Sequence, residues 1–248
     1  MSKFRKYEQR IRKYKYKLKK FVSRIGISYS EEFELEDEDL QKLILPCHLG
    51  ILFYTDFNSD LFGLISSYLN NVFDSFFFDI RNLGQFHFTK DQISKGVKKE
   101  YKEMREVNDK LRTHPTNKFY QFLINIKKEE KLGIIILLTD LPIYSSSDDN
   151  IIFMFGETHL KHRCSVVSTL KLKEEFYDRT KDEDLFKERI LKEIIHEIGH
   201  ILIGPSHCER EFCVMRFSKD VDEVDRKSYN LCNKCKSKLE NIREKYNF

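Results

Sequence analysis

The sequence predicts an α/β or α+β layer fold, in which helices pack on a central sheet. The run "LGIIILLTD" (residues 132–140) is typical of a strand that is buried on both faces. Apolar residues at steps of three and four between residues 60 and 73 indicate an amphipathic helix. Segments of these two kinds alternate along the chain, which is the pattern of a layered fold.

The first 25 residues are predicted to form a basic amphipathic helix. They contain eleven Lys or Arg and one acid, and Gly26 ends an apolar stripe that recurs at steps of three and four. The next charged block, residues 31–39 ("EEFELEDED"), contains seven acids. The stripe either packs on the rest of the chain or offers a surface to nucleic acid, anionic lipid or a partner protein. We therefore interpret residues 1–40 as an extension and residues 41–248 as the main domain.

The remaining elements follow from the same periodicities. The main domain is predicted to begin with one or two strands in residues 42–57, broken around Pro46 to Gly50. Asp60 is predicted as the N-cap of the helix that follows. The later elements are, in order, helices at 89–112 and about 117–128, strands at 132–140, 150–158 and 163–172, a long helix at 183–203, a cysteine-bearing loop, and a final helix from about Val224 onward.

Composition argues against a membrane protein and against secretion. Charged residues make up 34% of the chain, and the longest apolar runs are far shorter than the ~20 residues that a membrane-spanning helix needs. No apolar segment follows the basic N-terminus, so we expect no secretory signal. We therefore predict an intracellular, cytoplasmic protein whose six cysteines form no disulfide framework. Cys47 and Cys164 stand alone in the sequence and are predicted to be core residues.

The stretch "HEIGH" at residues 196–200 lies inside the long predicted helix. His196 and His200 are one helical turn apart and project from the same face, so both imidazoles can bind one zinc ion. Glu197 is rotated by roughly 100° from His196, and it can hold a water molecule without binding the metal. The motif therefore predicts a catalytic zinc site.

The neighbouring residues of this helix give the motif a context. Arg189, Lys192 and Glu193 lie one turn earlier on the face that carries the histidines, and the opposite face is apolar. This pattern predicts that the two histidines lie where the helix leaves solvent and enters a cleft. The alternative is that they are ordinary core or surface histidines.

A catalytic zinc site takes three protein ligands and leaves one position open for water. His207 is the first candidate for the third ligand, because Gly204 can end the helix and Pro205 prevents its continuation. The chain can then turn His207 back toward the metal. Glu223 is the rival, since gluzincins take a glutamate from a later helix as their third ligand.

Two close cysteine pairs follow the histidine motif. Cys208 and Cys213 form the first pair, and Cys232 and Cys235 form a C-x-x-C pair. Two pairs joined by a longer gap are typical of a closed structural zinc site with four thiolates. The alternatives are buried free thiols or a redox pair, although the redox interpretation lacks the βαβ setting that it needs.

Together these motifs resemble those of the archaemetzincins, a family of zinc metallopeptidases in the metzincin clan. That family combines H-E-x-x-H-x-x-G-x-x-H with a following cysteine, a C-x-M and a distal C-x-x-C. The matching pieces are "HEIGH", "GPSHC", "CEREFCVM" and "CNKC". The resemblance extends upstream through "LLTDLPIY", "FMFGET" and "SVVSTLKL", so it covers roughly residues 131–248.

The resemblance implies a metzincin-like fold, with a twisted mixed sheet, an active-site helix and a small zinc-stapled C-terminal subdomain. Residues 41–203 would form the upper part of this catalytic domain and residues 204–248 the lower part. By the same analogy, "SVVSTLKL" would be the edge strand that pairs with an extended peptide substrate.

The resemblance also implies the site chemistry of a zinc metallopeptidase with two zinc ions per chain. His196, His200 and His207 would bind the catalytic zinc, and Glu197 would be the general base. Met215 would be the Met-turn residue beneath the metal. The second, structural zinc would lie among the four cysteines named above.

One extra residue between His200 and Gly204 departs from the family pattern. It must be absorbed between Ile201 and Gly204 by a one-residue helix extension, a π-bulge or a looser turn. This departure keeps a second functional hypothesis open. In that hypothesis the protein is a catalytically weak or inactive zinc-binding protein that binds peptides or nucleic acid.

Overall fold

The computed structural model describes residues 27–28, 43–54, 59–87, 114–145 and 154–248. The described residues form a six-stranded sheet, a two-stranded sheet and five α-helices. The helices predicted at residues 1–25 and 89–112 and the acidic block at 31–39 lie outside the described residues. The predicted α/β architecture is confirmed.

The main sheet is mixed, as the family resemblance implies. The strands of the described residues are β1 (Ile27–Ser28), β2 (Cys47–Tyr54), β3 (Phe77–Gln85), β4 (His114–Pro115), β5 (Ile134–Thr139), β6 (Ile143–Tyr144), β7 (Gly156–His159) and β8 (Cys164–Ser168). The order in the main sheet is β1-β7-β8-β5-β2-β3. Neighbours are parallel except β7 and β8, which are antiparallel. Strands β4 and β6 form the small parallel sheet.

The helices of the described residues are α1 (Ser59–Val72), α2 (Thr116–Glu129), α3 (Glu183–Ile203), α4 (Val221–Arg226) and α5 (Asn233–Tyr246). Two short 3-10 helices, Leu170–Leu172 and Glu174–Tyr177, precede α3. Among the described residues, no helix combines the length and the apolar character that a membrane crossing needs.

Alternate residues of β5 face two separate cores. Ile134, Ile136 and Leu138 pack in one cluster with apolar residues of α1 and α3. Ile135 and Leu137 pack in the other cluster, with α2. Because side chains alternate across a strand, helices cover both faces of the sheet, and all of β5 is buried. Helix α3 therefore lies on the same face as α1.

The first strands of the sheet differ from the prediction. Strand β2 runs unbroken through Gly50, so the predicted break is wrong. A Cβ at Gly50 would collide with the side chains of Leu132 and Leu83, which shows that this glycine provides room for packing and makes no turn. Strand β3 has no counterpart in the prediction, because its half-exposed sequence "FFDIRNLGQ" has no regular alternation of buried and exposed positions.

Two helix boundaries also need correction. Helix α1 begins at Ser59, so Asp60 lies in its first turn and is not the N-cap. The final helix predicted from about Val224 is two helices, α4 and α5, with residues 227–232 between them. Helix α4 ends because Lys227 has an extended backbone and its side chain turns inward to form a buried ion pair with Glu193.

The strand implied as the sheet edge is internal, so that expectation is wrong. Strand β8, within "SVVSTLKL", pairs with β5 on one side and β7 on the other. Strand β7 lies outside β8, and its residues Thr158 and His159 pair with β1, whose residues belong to the predicted extension. A strand that is hydrogen-bonded on both sides has no open edge to offer a peptide. Strand β7 is also paired on both sides at Thr158 and His159, so only its first residues, Gly156 and Glu157, have no β1 partner among the described residues.

Candidate active site and metal centres

Helix α3 carries the histidine motif and is buried along most of its length. Its N-cap is Asp182, whose carboxylate accepts a hydrogen bond of 2.9 Å from the backbone N–H of Leu185. Every residue from Arg189 to His200 is buried. The helix ends at Gly204, whose φ of 99° suits a residue without a side chain.

The charged face of α3 does not lie in solvent, so this expectation is wrong. Arg189 is fully buried and binds the carboxylate of Asp225 with two hydrogen bonds of 2.7 Å. Lys192 donates to the backbone carbonyl of Asp225 at 3.0 Å. Glu193 pairs with Lys227 at 3.0 Å. These ion pairs and hydrogen bonds join α3 to Asp225 of α4 and to Lys227 just after it. More than 30 residues separate the two segments in the sequence.

The three candidate histidines converge on one point. The Nε2 atoms of His196 and His200 are 3.0 Å apart, and the Nε2 of His207 lies 3.2 Å from the first and 3.3 Å from the second. The Nδ1 of His196 donates to the carbonyl oxygen of Val214 at 2.8 Å, and the Nδ1 of His200 donates to that of Gly204 at 3.1 Å. With the proton on Nδ1, each Nε2 presents a lone pair to the centre of the cluster.

This histidine cluster fits a zinc ion. Ligand nitrogens at the Zn–N distance of tetrahedral sites would be roughly 3.3 Å apart, close to the spacing here. Lone pairs that face one another repel unless a cation lies between them, so the arrangement favours a metal. Burial also lowers the pKa of His200 to about 4 and that of His207 to about 3, which keeps both imidazoles neutral at pH 7.

Of the two candidates for the third ligand, the structure brings His207 to the cluster and leaves Glu223 elsewhere. Glu223 lies in the first turn of α4, where its carboxylate accepts a hydrogen bond of 2.8 Å from the backbone N–H of Lys219. The ring of His207 lies beside the partly exposed ring of Phe217, with the centroids 5.2 Å apart.

The extra residue before Gly204 is absorbed by the helix itself. Helix α3 continues to Ile203, and the N–H of Gly204 still donates to the carbonyl of His200, four residues earlier, at 3.1 Å. Of the three ways to absorb the residue, this is the one-residue helix extension; a π-bulge would shift the acceptor by one residue. The insertion therefore does not separate His207 from the other two histidines.

The carboxylate of Glu197 is held against β7. Its Oε2 accepts a hydrogen bond of 2.5 Å from the hydroxyl of Thr158. A Cβ at Gly156 would lie 2.6 Å from Oε1, so the strand approaches the carboxylate at a position that has no side chain. Burial raises the pKa of Glu197 well above its ordinary value, although the Thr158 hydroxyl lowers it in part.

Met215 packs directly beneath the turn of α3 that carries the histidines. A Cβ at Gly199 would collide with the Met215 sulfur, so the thioether touches the helix backbone between His196 and His200. Met215 is fully buried, and its carbonyl accepts a hydrogen bond of 2.8 Å from the N–H of Cys208. The residue therefore forms a floor under the histidine cluster.

The four cysteines form a second compact group. The sulfur atoms of Cys208 and Cys232 are 3.6 Å apart, and those of Cys213 and Cys235 are 3.8 Å apart. Four thiolates around a tetrahedral zinc ion would be roughly 3.8 Å apart at the usual Zn–S distance. Burial opposes ionisation of Cys232, but hydrogen bonds from the Cys235 amide and the neighbouring thiols lower its pKa to about 7.

The other two cysteines lie in the core, as predicted. Cys164 is fully buried and Cys47 nearly so, and burial raises the pKa of each to about 12. Neither belongs to the cysteine group described above. Their thiols are therefore inert packing groups.

Sequence reasoning misses three residues at this site. Gly156 and Thr158 lie in "FMFGET", which the sequence analysis notes without assigning a role to either residue. Phe217 follows Met215 by two residues, and a signal for it would be an aromatic residue just after a C-x-M motif. A glycine or threonine in a short strand carries no signal of its own.

Comparison with known proteins gives a consistent result. The profile of Peptidase family M54 matches residues 89–241, which is more than half of the chain. The archaemetzincin of Methanocaldococcus jannaschii is 43% identical over 107 residues, which are 43% of this chain and 58% of that protein. The chain therefore matches less than two thirds of this relative's length.

Solved structures agree on the fold. The archaemetzincin of Methanopyrus kandleri has a TM-score of 0.60 at 23% identity, over 80% of this chain and 97% of the other. A zinc-dependent peptidase of Methanocorpusculum labreanum has a TM-score of 0.58 at 24% identity, over 77% of this chain and 99% of the other. At these identities the likeness supports the fold alone.

Proposed function

Since this chain belongs to peptidase family M54, we propose that it is a zinc-dependent metallopeptidase that hydrolyses peptide bonds. The observation that carries the proposal is the cluster of His196, His200 and His207, whose Nε2 atoms lie 3.0–3.3 Å apart. Glu197 lies on the same helix as the first two histidines, and His207 follows the end of that helix. These three histidines would hold the catalytic zinc. Met215 would support the cluster from below, and Gly204 would end the helix so that His207 can turn back.

A zinc ion in this site would lower the pKa of a bound water to about 7 and polarise the substrate carbonyl. Glu197 would take a proton from the attacking water and pass it to the nitrogen of the leaving amine. The C–N bond breaks, and the products are a carboxylic acid and an amine. Thr158 donates to Oε2 of Glu197, so Oε1 is the atom that would accept and return the proton.

We propose that an extended peptide lies along the start of β7, at Gly156 and Glu157, next to Glu197. Gly156 has no side chain, so the Glu197 carboxylate lies directly against this part of the strand. The ring of Phe217 is 39% exposed beside His207, where it would contact an apolar side chain of the substrate. The catalytic domain would be residues 41–248, with residues 1–40 as an extension that adds β1 to the main sheet.

The four cysteines would hold a second, structural zinc, which gives two zinc ions per chain. A site with four thiolates is closed, so it has no position for a water or a substrate. Thiols this close together would oxidise in an oxidising compartment, which supports a cytoplasmic location.

This geometry removes the reason for the non-catalytic alternative. It rests on the extra residue before Gly204, and the helix absorbs that residue without separating His207 from His200. The comparisons name peptidases and give no support for nucleic acid or a partner protein at residues 1–25. A peptide or protein is therefore the proposed substrate.

Measured zinc content and hydrolysis of an unfolded protein such as casein test this function together. We expect wild-type protein to cleave and Glu197→Gln to keep its zinc while its rate falls by about 10²-fold or more, because the general base is gone. Glu209→Gln, in the exposed loop after Cys208, is the matched control and should cleave at the wild-type rate. Cleavage by Glu197→Gln at the wild-type rate would refute the mechanism.

A further inference from the structure

A cavity of about 490 Å³ lies at the amino ends of strands β2, β5 and β8. Cys47 and His48 of β2, Gly133 just before β5 and Arg163 just before β8 line it. We call it the basic cavity. It shares no residue with the histidine cluster. Gly156, which contacts Glu197, pairs with Val167 near the other end of β8, so the two sites lie toward opposite ends of the strands.

The lining of the basic cavity is strongly positive. Lys127, Lys128, Lys131 and Arg163 contribute four cationic side chains, and no Asp or Glu is present among the described residues that line it. Asp79 lies close by, but its carboxylate accepts hydrogen bonds from His48 at 2.6 Å and from Arg81 at 3.0 Å. A cavity of this charge favours an anion.

Two of these cations are also partly withdrawn from water. Burial lowers the pKa of Lys127, and the nearby Arg163 lowers it further. Burial likewise lowers the pKa of Arg163. An anion bound between them would stabilise both charges, and a phosphate can accept hydrogen bonds from both side chains.

The rim of the basic cavity is apolar and exposed. Ile44 is 75% exposed and Phe78 is 67% exposed, and both line the cavity. They are two of the four large apolar side chains that are exposed in the described part of the chain. The rings of Phe78 and His48 have their centroids 5.5 Å apart. An exposed ring in the same cavity as several cationic side chains can stack on a nucleobase while its phosphate is bound.

We propose that the basic cavity binds a mononucleotide, with its phosphate between Lys127 and Arg163 and its base against Phe78. The cavity lies in the range of roughly 300–1,000 Å³ that is usual for small-molecule sites. The site is independent of the peptidase mechanism.

Calorimetric titration of the zinc-loaded, 248-residue protein with adenosine monophosphate tests the proposal. We expect saturable binding that weakens as salt rises, because the charges are screened. Inorganic phosphate and adenosine should each bind at least about tenfold more weakly. Phosphate lacks the base that would contact Phe78, and adenosine lacks the phosphate that would contact Lys127 and Arg163. If adenosine monophosphate at millimolar concentration gives no binding, or inorganic phosphate binds as tightly, the proposal is wrong.

Variants locate the binding. Lys127→Met and the exposed Lys131→Glu should each weaken the binding of adenosine monophosphate by about tenfold or more. Phe78→Ala should weaken it by about fivefold or more. Lys181→Glu, which changes an exposed lysine just before α3, is the matched control and should bind adenosine monophosphate normally. Unchanged zinc content and casein cleavage show that each variant is folded. Equal weakening by Lys181→Glu, or none by Lys131→Glu and Phe78→Ala, would overturn the assignment.

Discussion

The Nδ1 atom of His196 donates a hydrogen bond of 2.8 Å to the carbonyl oxygen of Val214, the residue between Cys213 and Met215. The same segment therefore orients a candidate catalytic ligand, supplies a thiol to the cysteine group and provides the floor beneath the histidines. The two proposed metal centres share one short stretch of backbone. Each centre should consequently respond to loss of the other.

Removing one thiol of the cysteine group should disturb the histidine cluster. Cys235→Ser should lose one zinc ion per chain. The affinity of the histidine cluster for the remaining, catalytic zinc should fall by about 10–100-fold, since the Val214 carbonyl would no longer be fixed. Zinc content against a graded chelator measures both effects. Cys164→Ser is the matched control, because Cys164 is buried and lies outside the cysteine group. An unchanged catalytic zinc affinity in Cys235→Ser would show that the centres are independent.

Substitution of the two rival third ligands should have opposite results. His207→Ala should lose one zinc ion and all detectable hydrolysis, because His207 completes the cluster. Glu223→Ala should keep both metals and lose only the hydrogen bond to the Lys219 amide, at a cost of about 1 kcal/mol in the free energy of unfolding. Zinc analysis and thermal unfolding distinguish them. Metal loss in Glu223→Ala alone would reverse the assignment.

The Thr158 hydroxyl should hold Glu197 in place and tune its basicity. Thr158→Val should lower kcat/KM by about 10–100-fold with zinc retained, whereas Thr158→Ser should keep most of the activity. A hydrogen bond to a carboxylate lowers the pKa of that group, so its loss raises the pKa of Glu197. The acid limb of the pH–rate profile should move to higher pH in Thr158→Val. A lower rate with an unmoved acid limb would mean that Thr158 acts on packing alone.

A methyl group on β7 should displace the general base. In Gly156→Ala the new Cβ would lie 2.6 Å from Oε1 of Glu197, so we expect hydrolysis to fall by at least about tenfold while the three histidines keep their zinc. Gly63→Ala is the control, since a Cβ there meets no atom within 4 Å. That change should raise the free energy of unfolding by about 0.5–1 kcal/mol, because Gly63 lies inside α1. Full activity in Gly156→Ala would show that Glu197 has room to move.

The sequence predicts the resemblance to archaemetzincins and the mixed α/β fold, and the family match and the structure agree. It also predicts which histidines and cysteines group together as candidate metal ligands. The sequence is informative here because the relevant spacings are short. His196 and His200 are one turn apart, and Gly204 and Pro205 end the helix just before His207. Chemistry encoded within one helix and its following turn can be predicted without knowledge of the fold.

Contacts between distant segments could not be predicted in this way. Thr158 and Glu197 are 39 positions apart, and they meet only because β7 lies beside α3. Arg189 and Lys192 look like solvent-facing residues until their partner Asp225 is placed next to them. A charged residue in a sequence does not reveal whether a distant partner will bury it. Strand order has the same difficulty, which is why β8 was mistaken for the edge.

The direct junction between His207 and Cys208 has a consequence for the order in which the protein becomes active during synthesis. His207 leaves the ribosome before Cys232 and Cys235, which complete the group that fixes Cys208. Until those later cysteines are available, the third histidine lacks the anchored neighbour that the complete cysteine group would provide. A nascent chain would thus hold the proposed catalytic zinc less tightly until most of the domain has been made.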